Sequence, residues 1–139
     1  MMTLDQLQAR GVGFFPSLLG IEFTSIESGR LTSRLPLRRE LMAPNGFLHA
    51  ATIIGLADTT CGYGTIAHLP NGAQNFTTLE LKSNFIGAAR EGIIACVAIQ
   101  AHSGRTTQIW DATVTAEATE KTIALFRCTQ LILYPKADL

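Results

Sequence analysis

Few residues of this chain have side chains suited to chemistry, and one is singled out by its surroundings. Asp58 is the single carboxylate between Leu48 and Tyr63, a stretch that is otherwise mostly apolar. A carboxylate in such a segment is costly unless it is paired, hydrogen-bonded or at work. Its structural partners would be an arginine such as Arg34 or Arg127, or the hydroxyls of Thr59 and Thr60. Its chemical use would be as a nucleophile or general base. His49 stands where the segment begins, as a cap, a loop residue or a second reacting group.

The spacing decides how these two can cooperate. Nine positions separate His49 from Asp58, which is roughly 13 Å along a helix, and nine steps of about 100 degrees put them on opposite faces. One chain cannot bring them together. Across a two-fold axis, the start of one helix would face the Asp58 of the other. The free N–H groups of a helix start favour anions. A carboxylate opposite them suits acyl transfer, in which the amides hold a developing oxyanion while Asp58 attacks or activates water.

The elements that must position these residues follow from periodicity. Thr3 to Gln8 reads as a short helix capped by Thr3 or Asp5, and Pro16 to Leu19 as a second short turn. Ile21 to Glu27 and Arg30 to Leu37 alternate as two strands joined at Ser28-Gly29. Pro44-Asn45-Gly46 is a turn. From Leu48 the chain predicts a buried helix, apolar nearly all round, ending at Leu69-Pro70-Asn71-Gly72. Gly55, Gly62 and Gly64 weaken it by about 1 kcal/mol each, and their return is close approach to a neighbouring backbone. The segments 76–86, 92–102, 106–117 and 122–134 predict long strands, read as an antiparallel meander. The expected class is α+β, a single domain over residues 1–139 with a long curved sheet wrapped around one helix.

Composition narrows the partners. Eleven basic residues balance eleven acidic ones, against nucleic acid or an anionic membrane surface as partner. Only 16% of residues are charged, below the roughly 25% usual for soluble domains. Such a chain covers its surface poorly, and an oligomer is expected. No segment has the roughly 18 uninterrupted apolar residues of a membrane span, and Met1 to Arg10 lacks the apolar core of a secretion signal. Cys61, Cys96 and Cys128 are few and far apart, as in a cytoplasmic protein with reduced thiols. His68 and His102 lack metal-ligand spacing, so no metal is expected.

The run Asn45-Gly46-Phe47-Leu48-His49-Ala50-Ala51, leading to Leu56-Ala57-Asp58, resembles the hotdog-fold acyl-CoA thioesterases. It looks closest to the group named after the phenylacetate-pathway thioesterase. Their motif runs Asn-x-x-Gly-x-x-His-Gly-Gly, then Leu-Ala-Asp or similar. The likeness covers most of the chain.

The resemblance implies that Asp58 is nucleophile or general base, that the Ala50 N–H polarises the thioester carbonyl, and that His49 sets the helix start and touches the thioester. It implies that Thr78 orients the attacking water and that Gly104, Arg105 and Thr106 lie against coenzyme A. Arg90, in its own turn, is a further candidate for the phosphates. Coenzyme A enters as part of the substrate, and no separate cofactor is expected. The implied assembly is a homodimer or a tetramer made of two dimers.

Two positions depart from the pattern. Ala50 replaces a glycine and adds a methyl where the thioester approaches. The motif asparagine, six before the histidine, is Ala43, whereas Asn45 stands four before it. These departures keep a non-catalytic acyl-CoA binder in view as the alternative. A hotdog hydratase or dehydratase ranks lower, because no histidine lies at helical spacing from Asp58.

Overall fold

The computed structural model describes residues 1–137. Thr3 caps α1 (Leu4–Arg10) through a reciprocal capping box with Gln6, and α2 (Phe15–Leu19) ends at Gly20 in the left-handed region (φ 90). The strands β1 (Glu22–Glu27) and β2 (Arg30–Pro36) follow. A 3-10 turn (Arg39–Leu41) leads to the long helix α3 (Ala50–Ala67). Four long strands complete the chain: β3 (Asn75–Phe85), β4 (Ile93–Ser103), β5 (Thr107–Ala116) and β6 (Thr122–Leu133).

These elements form one antiparallel six-stranded sheet in the order β1-β2-β4-β5-β6-β3. The second half is therefore not a simple meander. β3 precedes β4 in the chain but pairs with β6 at the far edge. The connection 86–92 carries the crossover, anchored where Ile86 and Gly87 both donate to Ile123 O. The imperfect alternation of β1 also has a cause. A register shift between Phe23 and Ser25 turns Ile26 back toward the core, where Phe23 already packs.

α3 packs along β2 through β6 and meets β1 where Tyr63 stacks on Phe23 at 4.8 Å, so the sheet wraps around it. The helix lies close because of its glycines. A Cβ on Gly64 would stand 2.8 Å from Trp110 Cη2, and one on Gly55 would stand 2.8 Å from Leu19 Cδ1. The C-terminal end of α3 is tied down by a chain of hydrogen bonds. Trp110 Nε1 donates to Gln108 Oε1 and Gln108 Nε2 donates to His68 O, each at 2.8 Å. His68 Nδ1 bonds Gly64 O at 2.7 Å, while its Nε2 accepts the Gly29 N–H at 2.8 Å.

β3 differs from the other long strands. The inner positions of β4, β5 and β6 are buried, whereas β3 is exposed along almost its whole length. Leu79 is 58% exposed, and Leu81 and Phe85 are also open to solvent. The three cysteines are free and buried. No helix among the described residues is long and apolar enough to cross a membrane.

Candidate active site

The start of α3 is built by its own side chain. His49 has extended backbone (φ -65, ψ 133) and serves as the N-cap. Its Nδ1 accepts the Ala51 N–H at 2.9 Å, which leaves the ring proton of the neutral imidazole on Nε2. His49 N is held by Leu41 O, and Thr52 N by His49 O. Ala50 N has no acceptor among the described residues. One amide therefore points out of an exposed helix tip, where the partial positive charge of the helix is greatest.

Asn45 lies in the loop before it. Its Oδ1 accepts the Phe47 N–H at 3.2 Å, the turn role its sequence context suits.

Asp58 lies about 12 Å along the helix from Ala50 and is half-buried. Oδ1 is buried without a hydrogen-bond partner. Burial pushes the carboxyl above its ordinary value. Of the structural partners considered for it, Thr59 makes no hydrogen bond to Oδ1, and the other three are engaged elsewhere. Arg34 pairs with Glu22 and Glu117, and Arg127 with Asp111. The Thr60 hydroxyl donates to Leu56 O and is paired with Ser33. Asp58 is thus a carboxylate without a cation among the described residues.

Helical spacing puts Ala51, Gly55, Asp58 and Gly62 on one stripe. Phe15 of α2 lies over Gly55, and Phe76 of β3 over Gly62.

Two cavities lie on this side of the molecule, the first against Ala50 and the second beyond it, along the loop before the helix. One, of about 250 Å³, is apolar and bounded by Phe47, Ala50, Ile53, Phe85 and Ala89. The other, of about 590 Å³, holds Arg38, Arg39, Ala43, Pro44 and Arg90. They meet where the Arg90 guanidinium stacks 5.0 Å from the Phe47 ring centre. Arg38 is committed to the fold, since its guanidinium donates to Leu18 O and Leu19 O at 2.7 Å each. Arg39 and Arg90 form no ion pair among the described residues.

The remaining candidates lie elsewhere. Gly104, Arg105 and Thr106 form the β4–β5 hairpin, with Arg105 stacked 5.2 Å from the Tyr134 ring centre. Gln108, just inside that hairpin, is bonded to His68 at the C-terminal end of α3. The hairpin is therefore separated from Ala50 by a helix of 18 residues, about 27 Å long. One protomer does not bring them together. The exposed Thr78 donates its hydroxyl to Gln130 Oε1 at 2.7 Å.

Sequence reasoning did not reach the Phe47–Arg90 stack or the contact of α2 with Gly55. The signal for the second was the glycine itself, which announces a close neighbour without naming it.

The thioesterase superfamily model matches residues 45–123, more than half of the chain, including His49, Ala50 and Asp58. The chain belongs to the thioesterase superfamily. A 1,4-dihydroxy-2-naphthoyl-CoA hydrolase of Listeria monocytogenes is 30% identical over 111 residues, covering 80% of this chain and 89% of the relative. A mutant of thioesterase PA1618 from Pseudomonas aeruginosa superposes with a TM-score of 0.90 at 27% identity, over 96% of this chain and 95% of the other. The Escherichia coli PaaI protein has a TM-score of 0.77 at 20% identity, covering 85% and 83%, and shares the hotdog fold. The chain is accordingly a thioester hydrolase of α+β hotdog architecture.

Proposed function

We propose that the protein hydrolyses an aryl or a short- to medium-chain acyl-CoA to the free acid and coenzyme A, in sites shared by two copies of the chain. The observation that carries this reading is the separation of two unsatisfied groups on one helix, the Ala50 N–H at its tip and the Asp58 carboxylate on its side. Each needs a complement that its own protomer does not supply.

The edge strand supports the pairing. A long apolar edge is an aggregation hazard unless it is covered or paired. Two β3 strands related by a two-fold axis would pair antiparallel, with the Asn75 end of one beside the Phe85 end of the other. That arrangement carries the Gly104–Thr106 hairpin of one copy toward the Ala50 tip of the next. It answers the 27 Å separation within a protomer.

In such a site the Ala50 N–H polarises the thioester carbonyl and then holds the oxyanion. Asp58 of the second copy removes a proton from water as the oxygen adds to the carbonyl carbon. The tetrahedral intermediate collapses with cleavage of the C–S bond, and the departing thiolate takes the proton back from Asp58. In the nucleophilic variant Asp58 itself adds, and the adduct expels the thiolate as the C–S bond breaks, leaving a mixed anhydride. Water cleaves that anhydride to the free acid, regenerating Asp58 and supplying the thiolate's proton. Thr78 and Asn45 would orient water at this site. The phosphates of coenzyme A would meet Arg90, and the pantetheine arm would cross the apolar cavity beside Phe47.

The test uses two variants that spare the fold. Asp58→Ala should lower kcat on the order of a hundredfold to ten-thousandfold. Ala50→Pro removes the N–H at the first helical position, where proline is well tolerated, and His49 already has the extended backbone that a following proline requires. This variant should lose roughly a hundredfold or more in kcat. Refolding the two together should restore turnover, because a mixed pair contains one intact site. Failure to complement would overturn the shared site, and near-normal turnover by Asp58→Ala would overturn the chemistry. Tight acyl-CoA binding without thiol release from any thioester would favour the non-catalytic reading.

A further inference from the structure

α2 is a five-residue helix whose apolar side chains are mostly left outside the core. Phe14 at its cap is 70% exposed, Phe15 56% and Leu18 71%. Of its large apolar residues only Leu19 is buried. The helix is nevertheless held firmly. Leu19 and Phe15 pack on Gly55 of α3, and Arg38 donates to the carbonyls of Leu18 and Leu19 at its C-terminal end. A rigid platform with outward-facing apolar side chains is a surface awaiting a ligand or partner.

Its position tells which. Two open cavities meet at Phe15. The outer one, about 490 Å³, runs along Phe14, Ser17 and Leu18. The inner one, about 250 Å³, runs between Leu19 and Met42 to His49 and Ala51. Gly55, under Phe15, is one turn from Asp58 on the same stripe of α3. The groove therefore ends at His49 and Ala51, on the first turn of α3 whose open amide the proposed chemistry uses.

The lining also fixes the chemistry of the occupant. Thr52 on its wall already donates to Leu41 O at 2.8 Å, and Glu40 is exposed at the rim. His49 and Glu40 supply polar atoms at the inner end, whereas the reach beyond it runs along Phe14, Phe15, Leu18 and Leu19, where methylene groups need no polar partner.

We propose that the groove between α2 and the first turns of α3 is the acyl subsite, that Phe14, Phe15 and Leu18 set its reach, and that it takes an extended aliphatic acyl chain of medium length. This rests on the thioesterase reading above and specifies its substrate.

The experiment compares kcat/KM for the full chain on straight-chain acyl-CoAs from acetyl to decanoyl, and on a hydroxybenzoyl-CoA. The wild type should prefer decanoyl to acetyl and to hydroxybenzoyl. Leu18→Ala should lower the decanoyl-to-acetyl ratio roughly tenfold, the scale of a lost apolar contact in a pocket. Leu18 is chosen because its exposure keeps it out of the folding core. Phe15→Ala, checked for an unchanged melting curve, should lower the ratio at least as far. A ratio unmoved by both variants would overturn the proposal, as would a wild type that prefers the hydroxybenzoyl thioester. A loss of oligomer in Leu18→Ala with the ratio unmoved would also overturn it and assign the platform to contact between copies.

If the wild type released thiol from no thioester, the enzymatic reading would fail while the groove would still be judged by binding. A non-hydrolysable decanoyl-CoA thioether should then bind Leu18→Ala roughly tenfold more weakly than wild type. Equal binding would overturn the groove.

Discussion

The imidazole Nδ1 of His49 accepts the Ala51 N–H at 2.9 Å, and this bond selects the amide left open at the tip of α3. With Ala51 satisfied and Thr52 bonded to His49 O, the Ala50 N–H is left to meet an incoming carbonyl. His49→Ala should free a second amide and cost about 1 kcal/mol of stability, the usual worth of a lost cap. His49→Asn should recover most of that stability, because a short side-chain oxygen caps equally well, yet without the Nε2–H it should not recover full turnover. Thermal melts and steady-state rates on the same preparations check both halves.

Asp58 links activity to stability with opposite signs. Its folded carboxyl titrates above the ordinary range because burial disfavours the charge. The native state thus holds the proton more tightly than the unfolded chain does. The resulting stabilisation is fully present below the unfolded pKa and is lost as pH rises through the folded one. Asp58→Asn should therefore be at least as stable as wild type at neutral pH and nearly inactive. In the wild type, the acid limb of kcat/KM should fall above the ordinary carboxylate range. Chemical denaturation at several pH values, beside a pH–rate profile, tests the pair.

The cleft holding Arg39 and Arg90 makes a separate claim about the phosphates of coenzyme A. Arg39→Ala and Arg90→Ala should raise KM several-fold for an acyl-CoA, on the scale of a lost charge-assisted hydrogen bond. They should leave KM for an acyl-pantetheine, which lacks the nucleotide, nearly unchanged. The effect should shrink with added salt. Equal changes with both substrates would remove the arginines from phosphate binding.

Gly64 tests the packing that fixes the helix. A methyl there would meet Trp110 Cη2 at 2.8 Å, and Trp110 is fully buried and bonded to Gln108. Gly64→Ala should destabilise by about 1–3 kcal/mol despite the better helix propensity of alanine. A stabilised variant, read by urea unfolding, would show that the indole has room to move.

Much of this architecture was legible from residue types. The alternation in 30–37, the apolar run through Asp58 and the long strands gave each element to within a residue or two at most ends. The three helix glycines announced close neighbours, which are Leu19, Phe76 and Trp110. The location of β3 was not legible. Periodicity tells which face of a strand is apolar but not which strand lies beside it, and only the 86–92 crossover places β3 next to β6. The isolation of Asp58 was likewise out of reach, because Arg34 and Arg127 find their acids across strands. Arg105 illustrates the limit: the hairpin tip is plain in the sequence, while its distance from Ala50 depends on which end of α3 the hairpin meets.

The crossover has a bearing on how the molecule comes into being. β3 is synthesised well before β6, the strand it pairs with among the described residues, since Asn75 is paired with Leu133 and Phe85 with Ala124. Until β6 emerges from the ribosome, β3 is a strand with both edges bare and several greasy side chains in water. The wall behind Asp58 is thus the last part of the sheet to close, and a nascent chain stalled before β6 would be the form most prone to stick to its neighbours.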